Sequence, residues 1–256
     1  MKKKGEEQSN LENVFFTTSW DDGNLSDLRI ADLLQKYNLP GTFYIPFFSP
    51  KKSLDSKQIR GISYNFDIGA HTMTHSRMTD CTDEKARNEI IESKKYIEDI
   101  TSKKCNSFCF PEGKFSQNHL RMVASAGFLG CRSVELLNNK FPQYKFGIYL
   151  LPTTFQAYPH TQLDYLKNIC KRNSLLNLTN FFKIGSLNWL NSAKLLFIDT
   201  SIKGGIFHIW GHSWEIDEMD LWNNLENFFH FVSSCNSNFH SLDNSGLYGY
   251  LDKLAN

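Results

Sequence analysis

No stretch of this chain stays apolar long enough to span a bilayer, so stable membrane insertion through a helix is not expected. An excess of one charge is missing too. Lys plus Arg number 28 against 27 Asp plus Glu, a net charge of +1, which leaves no broad basic face for nucleic acid. The six cysteines (Cys81, Cys105, Cys109, Cys131, Cys170, Cys235) show no paired pattern, and Cys105-x-x-x-Cys109 has no second pair to complete a zinc site. Free thiols in a reducing compartment are expected rather than a disulfide framework. There is no internal repeat and no Pro/Gly/Ser-rich linker, which argues for one domain. After Met1-Lys2-Lys3-Lys4, the segment Gly5 to Asn13 is polar and acidic, without the apolar core of a signal peptide. Residues 1–13 therefore read as a flexible leader, 14–256 as a single domain, and the location as cytoplasmic. The oligomeric state is not legible.

What is present is an apolar fraction of 41%, enough for a substantial core, and an alternation of short apolar runs with helical periodicities. Val14 to Ser19 reads as a first strand. Ser26 is placed to cap a helix carrying Leu28, Ala31, Leu33 and Leu34. Strands are expected at Gly41 to Ile45, around Phe66 to Ala70, at Ser107 to Phe110 and at Gly130 to Val134, with a further one at Ile148 to Leu151 and a final one at Gly205 to Trp210. Helices are expected at Ser56 to Ile62, after the Thr82 cap, and at Ser116 to Ala126, Thr161 to Arg172, Ser186 to Thr200 and Met219 to Ser234. That order predicts an α/β fold with mostly parallel strands.

Every unusual polar cluster falls where an expected strand gives way to a loop, the edge at which such sheets carry chemistry. Asp21 and Asp22 stand side by side after the first strand, and two adjacent carboxylates need a compensating cation or a shared proton. Asp-Asp-Gly-Asn is also good turn chemistry. His71 and His75 are spaced i, i+4, which on a helical turn aims two imidazoles at one point, and Gly69 just before them lets backbone approach closely. One Asp and two His leave coordination positions open, as a catalytic metal requires. The third cluster runs from Phe207 to Glu215. His212, after Gly211, lies at the strand end and suits catalysis. His208 lies deeper and suits a supporting hydrogen bond. Glu215 and Asp217 are candidates to orient His212, or else members of an acidic loop.

Thr18-Ser19-Trp20-Asp21-Asp22-Gly23 resembles the Thr-Phe-Asp-Asp-Gly motif of the polysaccharide deacetylases, the NodB-like carbohydrate esterases of family 4. His71-Thr72-Met73-Thr74-His75 is similar to their His-Ser/Thr-x-x-His motif, and Phe110-Pro111-Glu112-Gly113 in part to the next. The His212 cluster fills the place of the last. The resemblance implies a distorted, TIM-like (β/α) barrel with about seven strands and a metal-dependent N-deacetylase, a hydrolase of C–N bonds other than peptide bonds. The substrate would be an N-acetylated sugar or saccharide and the product acetate. It further implies that Asp22, His71 and His75 hold a divalent metal, Zn2+ in most members and Co2+ or Ni2+ in others. Asp21 would be the base toward the attacking water and His212 the acid toward the leaving amine, with the backbone N–H of Glu112 facing the oxyanion.

Two departures stand out. Cys109 occupies the place of an Arg that in the family pairs with the base carboxylate, and Glu112 the place of a Tyr. Arg132, near the end of the next expected strand, is the candidate to supply the missing cation. The family's Asp-x-x-Asp-Trp motif is not found in residues 135 to 200. The neighbouring alternatives are an allantoinase-like amide or imide hydrolase on the same site, decided by substrate loops around Tyr144, Phe155 and Tyr158, and a non-catalytic carbohydrate-binding relative. An unexported chain would favour a cytoplasmic precursor over a wall polymer.

Overall fold

A computed structural model describes residues 14–49, 51–174, 177–185, 187–235 and 239–255; the leader expected at 1–13 and Ser186, the expected start of one helix, lie outside them. Strand β1 (Val14–Asp21) is buried along its whole length, as expected of a parallel strand covered on both faces. It pairs in parallel with β2 (Thr42–Ile45), and β2 pairs with β3 (Asp67–Ala70). The sheet continues through β4 (Ser107–Cys109) and β5 (Gly130–Arg132). Beyond these come β6 (Gln143–Lys145), β7 (Ile148–Leu151), β8 (Phe155–Gln156), β9 (Gly205–Gly211) and β10 (His240–Ser241). The order is β6-β7-β5-β4-β3-β2-β1-β9-β8, with β10 beside β1, and the sheet curls into a distorted barrel. Among the described strands, only β6 runs antiparallel to its neighbour.

The seven strands expected from the sequence are β9-β1-β2-β3-β4-β5-β7. The extra three, β6, β8 and β10, are two or three residues long, too short for an alternation signal. Consequently β9 is not the final strand.

Helices α1 (Asp27–Lys36), α2 (Ser56–Ser63), α3 (Asp83–Thr101), α4 (Gln117–Ser125) and α5 (Gln162–Arg172) follow the expected periodicities. Thr82 caps α3, its side chain accepting from the Lys85 N–H at 3.3 Å. Ser26 does not cap α1, because its hydroxyl is engaged by the Asp217 carboxylate instead. Next come α6 (Leu178–Ile184), α7 (Trp189–Lys203), α8 (Ser213–Glu218), α9 (Trp222–Ser234) and α10 (Asn244–Ala255). Of these α6, α8 and α10 were not expected: the first two are short, and α10 contains Gly246 and Gly249, poor helix formers. Helix α3 packs on β3 and α7 on β9. Phe16, Trp20, Phe43, Phe108, Phe207 and Phe228 fill the core between them. No helix among the described residues is long and apolar enough to cross a membrane.

Candidate active site

The site begins where β1 ends. Asp21 is the last strand residue and is 3% exposed. Asp22 then turns to φ +80°, its N–H still bonded to the Tyr44 carbonyl at 3.1 Å. That left-handed step, uncommon for a residue other than glycine, sends the two neighbouring carboxylates to different places.

Asp22 meets the two histidines. Its Oδ1 lies 3.1 Å from His75 Nε2 and 3.5 Å from His71 Nε2, and the ligand atoms of the three residues all fall within 4.8 Å of one another. The histidines do not share a helical turn, contrary to expectation. They sit on a loop in which Thr72 (φ +65°) and His75 (φ +51°) are both left-handed, and this folds the rings to a centroid separation of 4.9 Å. Gly69 allows it from below, since a Cβ there would lie 2.4 Å from the Tyr44 ring. From the side, Glu89 of α3 clamps the loop: one buried carboxylate accepts from the N–H groups of Met73 (2.8 Å) and Thr74 (2.9 Å) and from the Thr74 hydroxyl (2.6 Å).

The donor set fits a divalent cation. His71 Nδ1 faces the Cys109 carbonyl at 2.9 Å, and a carbonyl only accepts, so the proton belongs on Nδ1 and the Nε2 lone pair is left for a metal. Asp22 Oδ1 is buried and makes no hydrogen bond, although two imidazole nitrogens approach it. Its Oδ2 accepts from Trp214 Nε1 at 2.9 Å. Burial alone would raise the Asp22 pKa, but His71, His75 and the charge of His212 outweigh it and hold the carboxyl far below the usual range. A second cluster, Asp21, His71 and Cys109, is also close enough to chelate. Cys109 Sγ, however, has Arg132 Nη2 at 2.8 Å, a cation where the metal would be, and burial keeps the thiol protonated well above its ordinary pKa. Asp22, His71 and His75 are therefore the better set.

Asp21 faces the other way. Its Oδ2 is paired with Arg132 Nη2, while its Oδ1 is buried and free of hydrogen bonds. The pairing follows from register, because Cys109 of β4 sits directly beside Arg132 of β5. A small residue at 109 leaves room for the guanidinium, which lies over the Trp210 ring at 4.5 Å and is fully buried. A buried charge needs such partners.

The opposite wall is His212 at the end of β9. Nδ1 is 2.8 Å from Glu215 Oε2, and Nε2 lies 3.9 Å from Asp22 Oδ2. Burial disfavours the imidazolium, but Glu215, Asp22 and Asp21 outweigh it and raise the His212 pKa. Glu215 Oε2 also accepts from Gln156 Nε2 at 3.1 Å, and Gln156 Oε1 meets His160 Nε2 at 2.8 Å. A relay of side chains thus stands behind His212.

The remaining candidates distribute as follows. Glu112 sits at φ +53° in the tight turn Pro111–Gly113, and its side chain is exposed and paired with Arg77 at 2.6 Å. His208 is fully buried between the Ser19 hydroxyl (2.8 Å) and the Pro152 carbonyl (3.1 Å), and burial pushes its pKa down to about 3. Asp217 joins α8 to Ser26 and to Trp222 Nε1 (2.7 Å) and does not touch His212. Phe155 is core, and Tyr144 is 63% exposed against Tyr149. The aromatic at the site is Trp214, which was not singled out. Glu89, Gln156 and His160 were missed as well.

Residues 10–130 match the family model described as polysaccharide deacetylase, a segment that includes Asp21, Asp22, His71, His75 and Glu112. Among curated proteins, a peptidoglycan deacetylase of Helicobacter pylori is 28% identical over 125 residues, 48% of this chain and 41% of that protein. The chain spans less than half the length of the curated relatives it matches. Among solved structures, a probable polysaccharide deacetylase from Pseudomonas aeruginosa PAO1 superposes with a TM-score of 0.69 at 13% identity, over 96% of this chain and 92% of that one. PuuE allantoinase does so with a TM-score of 0.65 at 12% identity, over 95% and 91%. At such identities the structures speak for the fold, the NodB-type barrel, and not for a substrate.

Proposed function

From the match of residues 10–130 to the polysaccharide deacetylase family model, we propose that this chain is a member of that family and a metal-dependent hydrolase removing the N-acetyl group of an N-acetylated saccharide. The observation that carries the reading is Asp22 Oδ1, buried without a hydrogen bond between two imidazole nitrogens, next to a second carboxylate held by a buried arginine. Asp22, His71 and His75 would hold the metal, with Zn2+ as our assignment. When bound, a divalent cation polarises the amide carbonyl and acidifies water. The remaining steps belong to the side chains. Asp21 takes a proton from the water that adds to the carbonyl carbon, and Arg132 keeps that carboxylate ionised and aimed. The Glu112 N–H, at the tip of its left-handed turn, faces the developing oxyanion. His212, oriented by Glu215, gives its proton to the departing amine as the C–N bond breaks, leaving acetate and a free amino sugar. The cytoplasmic location is kept as part of this proposal.

The experiment is acetate release from a panel of N-acetylated saccharides with zinc or cobalt, comparing the native chain with Asp21→Asn. The expected outcome is release that the substitution reduces by about 10²–10⁴-fold. A metal-loaded protein that releases acetate from none of them, yet opens allantoin or an imide, would replace this reading with the amide-hydrolase one.

A further inference from the structure

Apart from the metal cluster, the described residues form a cavity of about 510 Å³ beside the ends of β5 and β7. Its size is that of a small-ligand site. Phe115 and Leu150 supply apolar wall, Gln143 and Asn173 supply amides, and the charged lining is Lys140, Lys145, Arg172 and Glu135. The one acid is already engaged: Glu135 Oε1 accepts from Asn138 (2.9 Å), Ser174 (2.6 Å) and Asn177 (3.0 Å).

The cations are not engaged in that way. Arg172 spends one Nη2 donor on the Gly113 carbonyl at 3.0 Å, while its Nε is buried without a partner. Unpaired buried donors are costly and mark a missing acceptor. Among the described residues no ion pair includes Lys140, Lys145 or Arg172. Glu112, on the turn that leads to Phe115, is paired with Arg77. In a chain of net charge +1, three cations share this cavity with one satisfied acid.

The cavity also adjoins the proposed reaction centre. Gly113, whose carbonyl holds Arg172, directly follows Glu112, and from Glu112 to Phe115 the chain spans at most about 11 Å. Gly113 has φ +59°, and a Cβ there would lie 2.7 Å from Arg172 Nη2, so turn and cation are packed as one unit.

We propose that this cavity receives an anionic substituent of the saccharide, a phosphate or a carboxylate, held by Arg172, Lys140 and Lys145 while the acetamido group lies at the metal site. The inference rests on the deacetylase reading and narrows it to charged saccharides. Neutral oligomers would then be the poorer substrates, and the preference would weaken as salt screens the exposed lysines.

The test compares N-acetylglucosamine 1-phosphate and N-acetylmuramic acid with neutral N-acetylglucosamine, on the zinc-loaded native chain and on the double variant Lys140→Ala/Lys145→Ala. The expected result is a kcat/KM for one charged sugar at least about tenfold above the neutral one, falling to near parity in the variant with neutral turnover unchanged. Which charged sugar gains tells phosphate from carboxylate. Equal kcat/KM for all three in the native chain, or a preference the variant keeps, overturns the inference and leaves the deacetylase reading standing. If no sugar releases acetate, that reading fails and calorimetry decides the cavity on its own. Charged-sugar affinity about tenfold weaker in the variant supports it, and equal affinity overturns it.

Discussion

The two walls of the site are built by opposite means. The Asp22–His71–His75 wall is a matter of backbone: Asp22, Thr72 and His75 all take left-handed φ, and a single carboxylate, Glu89, pins the loop by its N–H groups. The His212 wall is a matter of side chains: His212 leads to Glu215, Glu215 to Gln156 and Gln156 to His160, none of them at a left-handed φ. Three such left-handed residues cost on the order of 1–3 kcal/mol each and persist only where neighbours enforce them. The first wall should therefore fail as a unit. The second should be adjustable one residue at a time.

The largest expected effect is on the first wall. Asp22→Ala should lose stoichiometric metal and all measurable turnover, checked by elemental analysis alongside acetate release; retained metal would refute the ligand set. Next, Glu89→Ala should weaken metal affinity by about 10–100-fold, in line with groups that orient ligands. Turnover should return at saturating metal, with Glu89→Gln intermediate. A kcat deficit that metal does not repair would mean that Glu89 acts on something other than the histidine loop. On the second wall, Gln156→Ala should leave the metal dissociation constant unchanged and lower kcat by about tenfold or less. Loss of metal in that variant would erase the contrast between the walls.

The smallest effect concerns the floor beneath both. His208 is neutral in the folded chain because burial lowers its pKa to about 3, against about 6.5 when unfolded. The unfolded state thus takes up the proton first as pH falls, and stability, complete above pH 6.5, declines below it. From pH 7.5 to 6 the loss from this group is about 1 kcal/mol. Denaturant unfolding at the two pH values would measure it, and His208→Asn should flatten that part of the curve.

Asp21, Asp22, His71, His75 and His212 were legible because short polar clusters interrupt apolar strands, a pattern local to a few residues. Arg132 was legible for a related reason: Cys109 left a charge unbalanced, and the adjacent strand end offered one cation. Gln156 and Trp214 were not, since their partners lie 59 and 192 residues away and only the folded sheet joins them. Glu89 did leave a trace, a carboxylate on the apolar stripe of Ala86, Ile90 and Ile97, where a solvated charge has no place. The helical turn assigned to His71 and His75 failed on backbone. Spacing alone does not distinguish a helix from two left-handed residues, and neither Thr72 nor His75 is a glycine that would announce them. In the fold, strands of two residues and a helix with two glycines fell below any periodic signal.

The exchange of cation between β4 and β5 also constrains the routes by which this site can change. Position 109 has no exposed surface and Arg132 already fills the space beside it, so Cys109→Arg alone would bury two guanidinium groups against one carboxylate. Arg132 lost alone would strand Asp21 without a counter-charge. Each half-step is worse than either end, so moving the cation from position 132 to position 109 crosses a valley that only paired substitution avoids.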